Sequence, residues 1–315
     1  MIDMTVLETE EGRAAEESSE ATPFLSRIGL LPLAVLLITI AVIWRQVDIF
    51  ILGLGDTWMN ILPNKLFTLL IIAGIFWRFR RNEIGSVLGF TRDNIRAQVT
   101  VGIIMGLSMY LLMDTLPVIL YATFVDPSYP LNLHVIGVNL LWYEFLFFLC
   151  NGFVEEGLFR GMLQNGLRTY VTPNRAILIS AMVFGVYHVC WPILKLLTGG
   201  FSMGETAGML IFSGIAGGIF GVYYEKFSSR RSLMGPVVAH TLINFFNENF
   251  KIGPEAVTQG PDFTFGTPGL LGVMAIVFFI VSAVFIFILW KTRIEQVQVW
   301  WKRVVARILK AESVI

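Results

Sequence analysis

Eight long apolar segments separated by short polar loops constrain this chain more than any other feature of its sequence. The lipid interior offers no water to the backbone, so a segment crosses it as a helix of about 20 residues. Charged residues are only 15% of the chain and mean hydropathy is +0.70, which is typical of membrane proteins. The predicted fold is therefore all-α, a polytopic membrane bundle of about eight transmembrane helices. The predicted spans are residues 28–44, 62–77, 97–123, 135–163, 176–197, 207–224, 233–250 and 269–290.

The basic residues test this arrangement, because cytoplasmic loops of membrane proteins are enriched in Lys and Arg. With eight spans, 19 Lys and Arg residues fall on one side of the membrane and 4 on the other. The pattern predicts a multi-pass integral membrane protein with both termini in the cytoplasm, and the chain's length favours a bacterial inner membrane. The formal net charge of zero argues against a nucleic-acid partner.

The ends of the chain are predicted to lie outside the bilayer. Residues 1–26 carry seven acidic residues and a single Arg before position 27, which predicts a disordered acidic cytoplasmic tail. Residues 294–309 place apolar residues at helical spacing on one face, among them Ile294, Val297 and Trp301, opposite the basic residues Lys302, Arg303 and Arg307. This indicates an amphipathic helix, either on the cytoplasmic membrane surface or packed on the protein.

Ionisable residues inside predicted spans are costly and point to function. In the fourth span, Glu156 and Arg160 lie one helical turn apart, which predicts an ion pair. Glu155 is rotated about 100° away and has no basic residue at helical spacing. The sequence therefore predicts an unpaired carboxylate suited to a general base, although a water-filled vestibule with structural pairs is the alternative.

Two further spans carry polar residues at helical spacing. His188 lies in the fifth span, and His240 and Asn244 lie one turn apart in the seventh. Each could be a hydrogen-bonded residue that ties helices together. Their similar predicted depths instead favour one shared site with Glu155.

The order E-E-x-x-x-R, F-x-x-x-H and H-x-x-x-N on apolar segments resembles the CAAX prenyl protease and bacteriocin-processing (CPBP, or Abi) family of intramembrane endopeptidases. The resemblance covers about residues 135–250. The residues that carry it are Glu155, Glu156, Arg160, Phe184, His188, His240 and Asn244.

The resemblance implies a division of roles among these residues. Glu155 and His188 would polarise a water, and His240 and Asn244 would hold the oxyanion. Arg160 would neutralise Glu156, and Phe184 would support the site. No metal cofactor is expected, because the H-E-x-x-H pattern is absent; if Zn²⁺ binds, its ligands would be Glu155, His188 and His240.

The resemblance also divides the chain. Residues 1–26 form the tail, 27–130 the N-terminal helices, 131–250 the catalytic core, and 251–315 the last span with the amphipathic helix. The expected partners are the lipid bilayer and a peptide or membrane-associated protein substrate, cleaved near the cytoplasmic membrane face. The alternatives are a proton-coupled transporter, with a relay through Asp114 and Glu144, and a non-catalytic immunity or scaffold protein.

Overall fold

A computed structural model describes residues 24–47, 51–52, 58–194, 202–259 and 266–312. Most of the predicted acidic tail lies outside the described residues. Each predicted apolar segment contains a long helix. These helices are α1 (Leu30–Gln46), α2 (Trp58–Phe79), α3 (Ile95–Phe124), α4 (Leu141–Glu156), α5 (Pro173–Leu194), α6 (Met203–Val222), α7 (Met234–Asn249) and α8 (Pro268–Lys291). The predicted helical class is confirmed.

The lengths and compositions of these helices decide how many qualify as membrane spans. Among the described residues, α3, α8 and the helical run that contains α6 are long and apolar enough to cross a membrane, and α1 is a shorter apolar helix. The count of eight spans therefore stays a prediction. Four short helical turns lie outside these helices among the described residues: Phe24–Arg27, Glu83–Ser86, Val138–Leu140 and Glu255–Gln259.

The central helix α4 differs from its predicted bounds at both ends. It continues beyond Glu156 through a π-helical segment, Gly157–Gln164, and a last turn, Asn165–Leu167. Its predicted start at residue 135 is wrong, because the chain there is a strand and α4 begins at Leu141. A π-helix carries one extra residue per turn and is found frequently at functional sites. Because the helical run ends at Leu167, Glu155 lies near its middle, deeper than the sequence suggested.

A two-stranded ribbon joins the start of α4 to the end of α7. Strands β1 (Leu133–Val135) and β2 (Phe250–Ile252) pair antiparallel, with His134 opposite Lys251. The Tyr110 hydroxyl on α3 donates a hydrogen bond to the Phe250 carbonyl, 3.0 Å away. The sequence did not predict this ribbon, because three residues per strand are too few to show a strand period.

Glycines let α7 approach its neighbours closely. A Cβ at Gly102 or Gly106 of α3 would lie 2.6 Å and 2.8 Å from the α7 carbonyls of Gly235 and Ala239. On the α4 side, a Cβ at Gly152 would lie 3.1 Å from an α7 carbonyl. Small residues at such contacts allow helix backbones to pack against each other, as in many membrane bundles. The helix that carries His240 is thereby held firmly against α4.

The amphipathic C-terminal helix α9 (Ile294–Glu312) follows α8 directly. Ile294 is fully buried and Val297 packs on the core next to it. Trp300 and Trp301 are exposed, although the sequence placed Trp301 on the same apolar face as Ile294. The helix is therefore anchored by its first turns, and its predicted location on the membrane surface stays a prediction.

Candidate active site

The two neighbouring glutamates of α4 occupy the centre of the site. Glu155 and Glu156 are both buried at the point where α4 passes into its π-helical segment. Helices α2 and α7 pack against α4, while α1 and α5 pack against the π-helical segment. Two adjacent carboxylates in such an interior each need a compensating positive charge.

The prediction that Glu155 is unpaired is wrong. The ammonium nitrogen Nζ of Lys65, on α2, lies 2.9 Å from Oε1 of Glu155 and donates a hydrogen bond to it. The prediction failed because it looked for basic residues at helical spacing on α4 alone. The partner comes from another helix, 90 residues earlier in the chain.

The second carboxylate oxygen of Glu155 faces both histidines. Its Oε2 lies 3.7 Å from Nε2 of His188 and 3.6 Å from Nε2 of His240. These separations exceed a direct hydrogen bond, and Oε2 has no hydrogen-bond partner among the described residues. The structure thus brings Oε2 of Glu155 and the Nε2 atoms of His188 and His240 together at one point, which we call the histidine gap, and a water bound beside it would be within hydrogen-bond reach of these atoms.

The hydrogen bond on the far side of the His188 ring sets its tautomer. Nδ1 lies 2.8 Å from the Phe184 carbonyl oxygen, which can only accept, so Nδ1 carries the proton. In the neutral ring, Nε2 then presents a lone pair towards Glu155. Oε2 of Glu155 and Nε2 of His188 are therefore two acceptors facing each other, and a water beside them can donate one hydrogen bond to each.

His240 is held by the second glutamate. Its Nδ1 donates to Oε1 of Glu156 at 2.8 Å, and the Nη1 nitrogen of Arg160 lies 3.2 Å from the same oxygen. The predicted ion pair between Glu156 and Arg160 is thus present. Because Nδ1 is already donating, Nε2 of His240 can donate a hydrogen bond only when the ring is doubly protonated.

Residues 137–246, about a third of the chain, match the sequence profile of the family described as "Type II CAAX prenyl endopeptidase Rce1-like". This segment is a CAAX-protease-like domain. No curated protein matches the chain. The matched segment lies inside the predicted core, residues 131–250, and the remaining domain boundaries stay predictions. Its family is one of intramembrane proteases, in agreement with the apolar helices.

Aromatic rings enclose the polar groups of the CAAX-protease-like domain. The Phe184 ring meets the His188 ring edge-on at 4.5 Å between centroids. The Arg160 guanidinium lies 4.3 Å from the centroid of the Phe184 ring. The Phe220 ring stacks on His240 at 5.2 Å. These contacts fix the ring orientations and strengthen the charge interactions by excluding water. Phe184 was a predicted site residue, whereas Phe220 was missed because it belongs to no motif.

Asn244 lies one turn beyond His240 on α7 and is half-buried. Within the described parts of the chain, its side-chain amide has no hydrogen-bond partner. An amide without a protein partner one turn from His240 is compatible with donation to a substrate. Its role as an oxyanion donor remains a prediction, as do the roles of the other site residues.

Lys65 is the site residue that sequence reasoning missed altogether. It lies outside the CAAX-protease-like domain, near the start of the predicted span 62–77. In the charge count it was one of the 4 basic residues on the non-cytoplasmic side. Arg160 was likewise counted on the cytoplasmic side, but it is buried in the bundle. Without Lys65 and Arg160, each side has one basic residue fewer, and the excess of basic residues on the cytoplasmic side remains. A lysine within an apolar segment indicates that it has an acidic partner inside the bundle. Glu155, for which no basic residue was found at helical spacing, was the candidate for that partner.

A zinc ion would need the carboxylate of Glu155 and the free nitrogens of both histidines. Among the described residues, no group of three or more His, Cys, Asp or Glu side chains is arranged to hold a metal ion. The Lys65 ammonium, bonded to Oε1 of Glu155, also places a positive charge next to any cation on Oε2. The ammonium of Lys65 therefore disfavours a dication at this carboxylate.

Proposed function

We propose that this protein is an intramembrane endopeptidase of the CAAX-protease-like type, which hydrolyses a peptide bond with a water activated by Glu155 and His188. The observation that carries the proposal is that Oε2 of Glu155 and Nε2 of His188 lie 3.7 Å apart, close enough for one water beside them to hydrogen-bond to both. Both atoms are acceptors, so they would orient a water and take its proton as it attacks the substrate carbonyl.

The charges around the gap suit the tetrahedral intermediate that would follow. Lys65 and Arg160 balance the two glutamates, so a doubly protonated His240 would leave the site with one positive charge. The substrate oxyanion would lie next to the His240 charge, and the proton taken from the water would reside on Glu155 or His188, so the net charge of the site would not change during the attack. His240 Nε2 and the Asn244 amide would donate to the oxyanion, and the proton taken from the water would pass to the leaving amine.

A reaction without metal is part of the proposal. It is supported by the Lys65 ammonium at 2.9 Å from Glu155, which occupies a carboxylate oxygen and opposes a second cation. Glutamate-type and metal-dependent peptidases differ in a direct test, since only the latter loses activity to a chelator and recovers it with Zn²⁺.

The protein is further proposed to cross a bacterial inner membrane several times, with both termini in the cytoplasm. Its substrate would be a peptide or a membrane-associated protein whose scissile bond reaches the middle of the α4 run. Within the site the His188 side chain is 23% exposed and that of Lys65 14%, whereas Glu155 is almost completely covered. Substrate would therefore approach Glu155 past these two side chains.

The transporter alternative receives less support from the contacts. Asp114 accepts a hydrogen bond from the amide of Asn247, 2.9 Å away. Glu144 precedes Glu155 by 11 residues on α4, which corresponds to about 16 Å along a helix. These acids thus lie apart from the histidine gap, and a proton relay between them and Glu155 would need several intermediate carriers.

The test is cleavage of a peptide library by the purified protein in lipid nanodiscs, read by mass spectrometry. Glu155→Gln should abolish cleavage while the protein stays folded. Glu144→Gln is the matched control, because it makes the same change to a buried glutamate on the same helix, and it should cleave like the wild type. Equal cleavage by wild type and Glu155→Gln would refute the proposal, and loss of wild-type activity to a chelator, restored by Zn²⁺, would refute its metal-free form.

A further inference from the structure

Lys65 contributes a contact to the site that the family motifs do not contain. We infer that Lys65 is a positioning residue for the reaction, and that it holds Glu155 with one carboxylate oxygen bound and the other directed at the histidines. The inference rests on the proposed function. It makes α2, which lies outside residues 137–246, a part of the active site.

The contact selects one orientation of the Glu155 carboxylate. Rotation about the last side-chain bond of glutamate is soft, so a free carboxylate has no single preferred direction. The hydrogen bond from Lys65 Nζ to Oε1, 2.9 Å long, removes that freedom. Oε2 is then left unbonded at 3.6 Å and 3.7 Å from the Nε2 atoms of His240 and His188. Positioning of this kind fixes the geometry of attack before the substrate binds.

Lys65 also keeps the two neighbouring glutamates in separate roles. Arg160 pairs with Glu156, which in turn holds Nδ1 of His240. Without a cation of its own, Glu155 would compete for Arg160 and draw it away from Glu156. With Lys65 in place, each carboxylate has one cation, and Oε2 of Glu155 is left free to face the Nε2 atoms of the two histidines.

The chemistry of this position favours lysine over arginine. An ammonium is a compact charge that can bind one carboxylate oxygen, whereas a guanidinium is a planar fork that binds both oxygens of a carboxylate together. An arginine at position 65 would therefore preserve the ion pair but occupy Oε2. If the ion pair only stabilised the fold, Lys65→Arg would leave the activity unchanged. If the contact positions Glu155, Lys65→Arg should lower the activity.

The experiment compares Lys65→Arg, Lys65→Ala and the wild type for kcat, KM and thermal unfolding, with a peptide that the wild type cleaves. Lys65→Arg should unfold near the wild-type temperature and keep KM, while kcat falls about 10²-fold, the cost of a misplacement near 1 Å. Lys65→Ala should lose a similar factor in kcat and recover part of it with methylammonium, but not with tetramethylammonium, which has no N–H to donate. Arg78→Ala is the control, because it removes an exposed cation from the same helix and should not change kcat.

The outcomes separate this inference from the proposed function. If Lys65→Arg retains wild-type kcat while Glu155→Gln is inactive, the positioning role is refuted and the peptidase stands. If Glu155→Gln cleaves like the wild type, the proposed function itself fails. Should Lys65→Ala fail to fold, because it leaves Glu155 uncompensated, the Lys65→Arg result still decides the matter. A Lys65→Ala protein that folds, is slow and ignores methylammonium would count against the inference.

Discussion

Gly185 on α5 allows α5 and α6 to touch, and replacing it with alanine should disturb the site three residues further along at His188. A Cβ at position 185 would lie 2.7 Å from the Leu210 carbonyl oxygen and 3.2 Å from the Cα of Gly214, both on α6. An acceptable C···O contact is about 3.3 Å or more, so the two helices must separate by about 0.6 Å. Both contacts are backbone atoms, which cannot rotate away.

The expected effect has two parts. Overpacking of a helix contact typically costs about 1–3 kcal/mol of stability. A displacement of about 0.6 Å at His188 should lower kcat/KM about tenfold, since a 1 Å misplacement can cost about 10²-fold. Unfolding followed by tryptophan fluorescence in detergent measures the first, and steady-state peptide cleavage measures the second.

The same helix crossing supplies the matched control. A Cβ at Gly214 would lie 3.7 Å from the nearest atom, which is ordinary contact. Gly214→Ala should therefore keep activity and stay as stable as the wild type or gain up to about 1 kcal/mol, since alanine favours the helix. If Gly185→Ala unfolds and cleaves like the wild type, or if Gly214→Ala is equally damaged, the reasoning about this contact is wrong.

Three other predictions address the site and the topology. Asn244→Ala should lower kcat about 10²–10³-fold with KM unchanged, as measured by steady-state kinetics; a raised KM with normal kcat would contradict an oxyanion role. Arg160→Met should lose about 3–5 kcal/mol of stability in thermal unfolding, because it leaves the Glu156 charge buried without its partner, and adding Glu156→Gln should recover part of that loss. A double variant that recovers no stability would show that the two residues are not coupled. Reporter fusions after Arg81 and Arg231 should both read cytoplasmic, and a periplasmic signal at either would break the topology.

Sequence reasoning reached the parts of the site that depend on residues close together in the chain. The pair of Glu156 and Arg160 follows from helical spacing, and the order of motifs singled out His188 and His240. Spacing along one helix contains no information about contacts between helices. Lys65 was missed for that reason, and the hydrogen bond from His240 to Glu156 was likewise not predicted.

The helix bounds show a second limit. Hydropathy placed every long helix, because apolar composition determines which segments are buried in lipid or in the bundle. It placed the start of α4 six residues too early, since the apolar β1 strand and the short turn after it read as a continuation of the helix. The π-helical extension to Leu167 is set by packing against α1 and α5. The depth of Glu155 in the membrane, when taken from the predicted helix bounds, was therefore too shallow, because the observed helical run continues to Leu167.

The pairing of β1 with β2 has a consequence for the path of the chain through the bundle. The strands flank residues 137–246 on both sides, so the polypeptide enters and leaves the CAAX-protease-like domain at almost the same point. The ribbon thus ties the two ends of the domain together, and the chain continues from this one place to α3 on one side and to α8 on the other.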